Sequence, residues 1–275
     1  MYELNYVRRR RRKILAAVIG ALTSAGLSIF IITAFLGRYV GSFTVSLSNQ
    51  DVALTMSEKS DFEHRTNYLQ ISEIAPFEEF TYGKLPEKSV LDNELIEPFS
   101  GGNKNRNTQE ITTLNYFKYT FYVKNVGNVP CDYDFKINIT ENKPSTDGRY
   151  LDDTLRVMLF ENDDNGEEIT HESKVYAKRG AIAHLDEDGE PSFKEAITVA
   201  EDKATSLNPF LGYCEEFIDG STVLKHTVSS FSLNDVKRYT IVTWLEGYDP
   251  QSNNLFEAPK GASIKLGVEI NAYEN

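Results

Sequence analysis

The chain has 275 residues, a formal net charge of −12 and only two cysteines. Beyond residue 38 the imbalance steepens to 22 basic against 40 acidic residues, a net of −18, which excludes the basic surface that a nucleic-acid partner requires. The roughly 237 residues beyond that point can bury a substantial core, and the chain's 16 Phe and 15 Tyr against 3 Met give that core a β rather than a helical flavour.

The N-terminus opens with Arg8, Arg9, Arg10, Arg11, Arg12 and Lys13, followed by 23 residues from Ile14 to Leu36 without a charge. At about 1.5 Å rise per residue, a helix of that length crosses a hydrocarbon core of about 30 Å. The six basic residues on one flank, against Arg38 on the other, place the N-terminus in the cytoplasm and the remainder outside. A cleaved secretory signal is the competing reading, but it calls for an apolar run of about 7–15 residues and a small-residue cleavage site. Here the run is longer and ends in Phe35-Leu36-Gly37-Arg38-Tyr39. The expected organisation is a cytoplasmic basic segment over 1–13, a transmembrane signal anchor over 14–36, a linker over 37–41 and an extracellular β-sandwich over 42–275.

Beyond the linker, Ser42 to Ser48 alternates apolar and hydroxyl residues, the signature of a half-buried strand. From Asp51 to about Leu95 charge is scattered among apolar residues, which reads as strands and long loops. Residues 100–108, Gly- and Asn-rich, read as a surface loop. Phe117 to Val123 and Tyr133 to Ile139 alternate on either side of a turn at 125–130 and predict an antiparallel pair with one wet face. Leu155 to Leu159 and a return through Ile169 to Tyr176 predict a hairpin around Asn162–Gly166, and Ala181 to Leu185 a short strand. Ser192 to Leu207, with Phe193, Ala196, Ile197, Ala200 and Ala204 at helical spacing, predicts a helix stopped by Asn208-Pro209. Strands return at Thr222 to Val228, Tyr239 to Leu245 and Ala262 to Ala272. Many strands with little helix predict an all-β sandwich of jelly-roll type.

The chain carries no catalytic signature. His64, His171, His184 and His226 are isolated, and no zinc-binding, nucleophile-elbow or phosphate-loop spacing occurs. Two acidic turns, 161–168 and 186–190, are the candidate calcium loops. Neither has the spaced carboxylates and distant Glu that a calcium loop needs, so hairpin tips are the preferred reading. Cys131 and Cys214 are the candidate disulfide. A bridge would close about 83 residues and contribute roughly 4.5 kcal/mol if strain-free, while two unpaired thiols remain the other outcome.

Strand Tyr239 to Leu245 favours Trp244 as a core anchor over a ligand-binding tryptophan, since large aromatics dominate cores. Trp244-Leu245-Glu246-Gly247-Tyr248-Asp249-Pro250, together with Val123-Lys124-Asn125-Val126-Gly127 and an apolar N-terminus feeding a Ser-Phe-Thr-Val strand, resembles the TasA/camelysin-type ectodomains of Firmicute cell-surface and biofilm-matrix proteins. The resemblance implies a jelly-roll domain on the cell surface and, in some members, fibres built by donation of an N-terminal strand. The chain departs from the family in having no cleavage site after its span. It also has no zinc-peptidase motif, so the metalloprotease label of camelysin does not transfer. The expected partners are the lipid bilayer through residues 14–36 and other surface proteins or copies of the chain, in a structural or adhesive role. A receptor-like binding domain is the alternative.

Overall fold

The computed structural model describes residues 39–47, 52–72, 80–92, 103–104, 111–113, 115–163, 171–181, 183–185, 188–195, 197, 213–249 and 261–274. The apolar segment 14–36 and the basic run before it lie outside the described residues, among which no helix is long and apolar enough to cross a membrane. In chain order the strands are β1 (Tyr39–Leu47), β2 (Leu54–Ser57), β3 (Tyr68–Ser72), β4 (Asn103–Lys104), β5 (Ile111–Thr113), β6 (Tyr116–Asn125), β7 (Cys131–Lys143), β8 (Leu155–Asp163), β9 (Ser173–Ala177), β10 (His184–Leu185), β11 (Pro191–Ser192), β12 (Glu215–Glu216), β13 (Thr222–Phe231), β14 (Val236–Leu245) and β15 (Ser263–Glu274). Among the described residues helix is confined to α1 (Lys88–Leu91) and two 3-10 turns, Tyr82–Lys84 and Leu151–Asp153.

The chain is all-β. A five-stranded sheet of order β13-β7-β15-β1-β3 faces a six-stranded sheet of order β12-β9-β8-β14-β6-β2. The alternation read from β7, β14 and β15 is realised as an inward row from each sheet, because side chains two apart share a face. Phe121 and Val123 from the larger sheet meet Tyr133, Phe135, Ile137 and Ile270 from the smaller one, all fully buried. At the centre the Tyr239 ring lies between Phe121, 5.5 Å away, and Phe135, 4.2 Å away and nearly parallel. Its hydroxyl, otherwise stranded in an apolar layer, shares a 2.8 Å hydrogen bond with Tyr133.

Several expectations are corrected by this arrangement. β6 and β7 are not a hairpin pair: β6 pairs with β14 and β2, β7 with β13 and β15, and the turn between them crosses from one sheet to the other. Nor does β6 have a wet face, since Lys118, Thr120 and Tyr122 are as enclosed as Tyr119, Phe121 and Val123. The expected helix over Ser192–Leu207 does not begin where its pattern does. Ser192 is the last residue of β11, paired with His184, and the Phe193 carbonyl accepts the Gly180 N–H at 2.8 Å. Residues 198–207 lie outside the described residues. The polar loop over 100–108 contains β4, which pairs with β5. β8 and β9 pair antiparallel as expected, with Phe160 opposite Ser173, and Ile169 lies outside the described residues.

The crossing turn is held by the wholly buried Asn125. Its amide donates to the Val129 carbonyl at 3.1 Å and the Phe231 carbonyl at 2.9 Å, and its oxygen accepts the Gly127 N–H at 2.9 Å. Its backbone bonds Asn234 and Asp235 in the β13–β14 turn, so one side chain and its own peptide join two turns. Asn125→Ala strands these groups without partners, and it is expected to lower the unfolding free energy by about 2–4 kcal/mol, read from the urea midpoint at unchanged m-value.

Candidate functional site

β14 lies between β6 and β8, and its outward row consists of Arg238, Thr240, Val242 and Trp244. In register on β6 stand Tyr122, Thr120, Lys118 and Tyr116, and on β8 Asn162, Phe160, Met158 and Arg156. All twelve are buried. The face is therefore a second core, where Trp244, Met158, Phe160, Val175, Val242 and Cys214 cluster beneath Phe80, Tyr82, Leu85, Leu91 and Ile197. Residues 80–92 form a strap across it.

The Trp244 motif latches one end of that strap. Trp244 Nε1 donates to Glu246 Oε2 at 3.0 Å, and the same oxygen accepts the Tyr82 backbone N–H at 3.0 Å. Phe80 and Glu246 form a parallel bridge: the Phe80 N–H donates to the Leu245 carbonyl and the Gly247 N–H to the Phe80 carbonyl, both at 2.6 Å. The Tyr82 ring packs on Trp244 with centroids 6.0 Å apart. Trp244 is the core anchor that the sequence predicts, and Glu246 is a buried acceptor that fixes the strap.

Asp249, at the end of the motif, is paired with Arg156 at 2.7 Å, and both side chains are essentially inaccessible. A buried guanidinium without a carboxylate is untenable, so the pair fixes where the chain leaves β14. Glu195 approaches the same Arg156 nitrogen at 3.8 Å, and its carboxylate lies where a Cβ on Gly180 would have to be. Burial first, then the Asp249 charge, pushes the Glu195 carboxyl up to about 7 against the pull of Arg156. At the other end of the strap the fully buried Asp92 accepts from Arg238 at 2.8 Å and Asn162 at 2.8 Å, and it pairs with His171 Nδ1 at 2.8 Å. Lys118 lies under the strap, its amine pushed down to about 8 by burial, opposed by Asp92 and reinforced by Arg238.

Cys131 lies in the core between the sheets and Cys214 in the outer cluster, and the two are not bridged to each other. Burial raises the Cys131 thiol and pushes that of Cys214 up to about 11, so both are poor nucleophiles near neutrality. Of the calcium candidates, 161–163 belong to β8, and 164–168 and 186–187 lie outside the described residues, as does Pro250. Among the described residues no group of three or more His, Cys, Asp or Glu could hold a metal ion. The buried pairs Arg238–Asp92 and Arg156–Asp249 were missed by sequence reading: their members are 146 and 93 positions apart, and no local pattern joins them.

Asp249→Ala leaves Arg156 buried and unpaired, and it is expected to destabilise the fold by about 3–5 kcal/mol, whereas the double change Arg156→Met with Asp249→Leu recovers most of that loss in a denaturation cycle. The raised Glu195 carboxyl means that the folded chain binds this proton more tightly than the unfolded chain, whose ordinary value is 4.5. This stabilisation is present below that value and fades as pH rises through about 7. Glu195→Gln is expected to flatten the fall in melting temperature between about pH 4 and pH 8. No family model, curated relative or solved structure matches this chain.

Proposed function

We propose that the chain is a single-pass surface protein, N-terminus inside, whose jelly-roll-like sandwich stands outside the cell and associates with copies of itself through β1. The placement of β1 carries this reading. It is the first described strand beyond the apolar segment, and it lies in the five-stranded sheet between β15 and β3. Its pairing with β15 is parallel, from Gly41 opposite Leu266 to Leu47 opposite Ala272, while β7 pairs antiparallel with both β15 and β13. Val45 packs against the inter-sheet core. The strand therefore fills a slot made by distant parts of the chain and is joined to the rest only through the segment before β2.

A copy of β1 from a neighbour makes the same ladder and buries the same Val45, so exchange between subunits is close to isoenergetic. Local concentration then selects the partner. Anchorage by residues 14–36 supplies that concentration at a membrane surface. The resemblance to TasA/camelysin-type ectodomains supports the same direction.

The test compares chains beginning at Tyr39 and at Gln50 by sedimentation over a wide concentration range, with a peptide of residues 39–47 added to the shorter one. Assembly of the longer chain alone, together with binding of the peptide by the shorter, is expected. If both stay monomeric and the peptide does not bind, strand exchange is wrong.

A further inference from the structure

A cleft of about 370 Å³ opens between the strap and β9 on the outer side of the six-stranded sheet, within the range of about 300–1,000 Å³ typical of small-ligand sites. Tyr82 and Tyr213 contribute its aromatic side chains, Ser173 and Val175 come from β9, and Lys88 and Lys174 supply its positive charge. Val175 is buried, whereas both lysines are exposed.

Three independent features point to an occupant. The first is electrostatic. In a region with almost two acidic residues for each basic one, five described lysines bind acids, Lys143, Lys178, Lys225, Lys237 and Lys265, while Lys59, Lys124, Lys136 and Lys194 stand singly without an ion pair among the described residues. Lys88 and Lys174, among the described residues, are in no ion pair, and both stand at one cleft. Two ammonium groups left without acids in an acidic field are suited to an anion brought from outside.

The second is Ser173 Oγ, which is inaccessible and makes no hydrogen bond within the protein although it lines the cleft. An enclosed hydroxyl without a partner is costly, and a turn of the Ser173 side chain into the cleft lets a ligand group donate or accept there. The third is preorganisation. The Tyr82 ring is fixed from behind by Trp244 and its backbone by Glu246, so the aromatic surface exists before anything binds. Glu215 completes the lining and offers an acceptor for ligand hydroxyls.

We infer that this cleft binds an acidic saccharide, its carboxylate at Lys88 and Lys174, an apolar ring face on the tyrosines, and a hydroxyl at Ser173. This is independent of strand exchange, since β1 belongs to the other sheet.

The experiment is calorimetric titration of the full chain in detergent micelles with digalacturonate, with maltose as the neutral control. Saturable binding of digalacturonate and none of maltose is expected. Lys88→Ala with Lys174→Ala weakens binding at least about tenfold, as expected from loss of charge-assisted contacts. Ser173→Ala weakens it less, and Lys225→Ala, on the other sheet, leaves it unchanged. Equal affinity for monogalacturonate identifies a free sugar acid as the ligand type, and tighter binding of the dimer identifies a polysaccharide segment. Absence of saturable binding at millimolar digalacturonate, equal binding of maltose, or an undiminished affinity in the double lysine variant overturns the assignment.

Discussion

The burial of β14 on both faces is the constraint from which the rest of the architecture follows. Tyr239, Ile241 and Leu245 enter the core between the sheets, while Arg238, Thr240, Val242 and Trp244 point the other way into an equally closed layer. A sandwich leaves the outer side of each sheet to solvent, so a strand of this kind demands a cover. The cover is the strap, and because it contributes only two short helical turns it cannot hold itself in place by its own backbone bonds. It is held instead by polar side chains at both ends: Glu246 accepts from the strap at Tyr82, and Arg238 and Asn162 donate to the strap's Asp92 at the other end.

The polar composition of this second layer is informative. Replacing a buried ion pair with apolar groups of similar volume is often neutral or stabilising, so Arg156–Asp249 and Arg238–Asp92 are poor explanations of stability as such. What they do is define position. Each guanidinium sits at a fixed register on β8 or β14 and accepts only one placement of its carboxylate, so the strap and the exit from β14 each have one seat. An apolar strap on an apolar sheet would slide.

Sequence patterning was most informative where one face of a strand is wet or one core is shared. β15 alternates along nearly its whole length, and β7 does so until its exposed end. Trp244 and Asn125 stood in short conspicuous runs, and both prove to be fastenings at opposite ends of β14. The failures have a common cause. β6 alternates Lys118, Thr120 and Tyr122 with apolar residues, and period-2 polarity implies solvent on one side; a separate segment supplies the enclosure instead. The strap itself reads as charge scattered among apolar residues, because its apolar positions face a sheet at irregular intervals. At Ser192–Glu195 the helical spacing of small and apolar residues was overridden by pairing with β10 and by the pull of Arg156 on Glu195.

The parallel pairing of β1 with β15 also has a mechanical meaning. β1 enters the sheet at Tyr39 from the N-terminal side, whereas β15 ends at Glu274 beside the C-terminus, and Leu47 stands opposite Ala272. Tension applied between the two ends of the chain therefore pulls these neighbours along their length in opposite senses. All the hydrogen bonds from Gly41 to Leu47 bear the load together, in shear, rather than opening one after another as in a hairpin pulled from its free ends. A domain fastened at one end and loaded at the other resists extension at this pair of strands first.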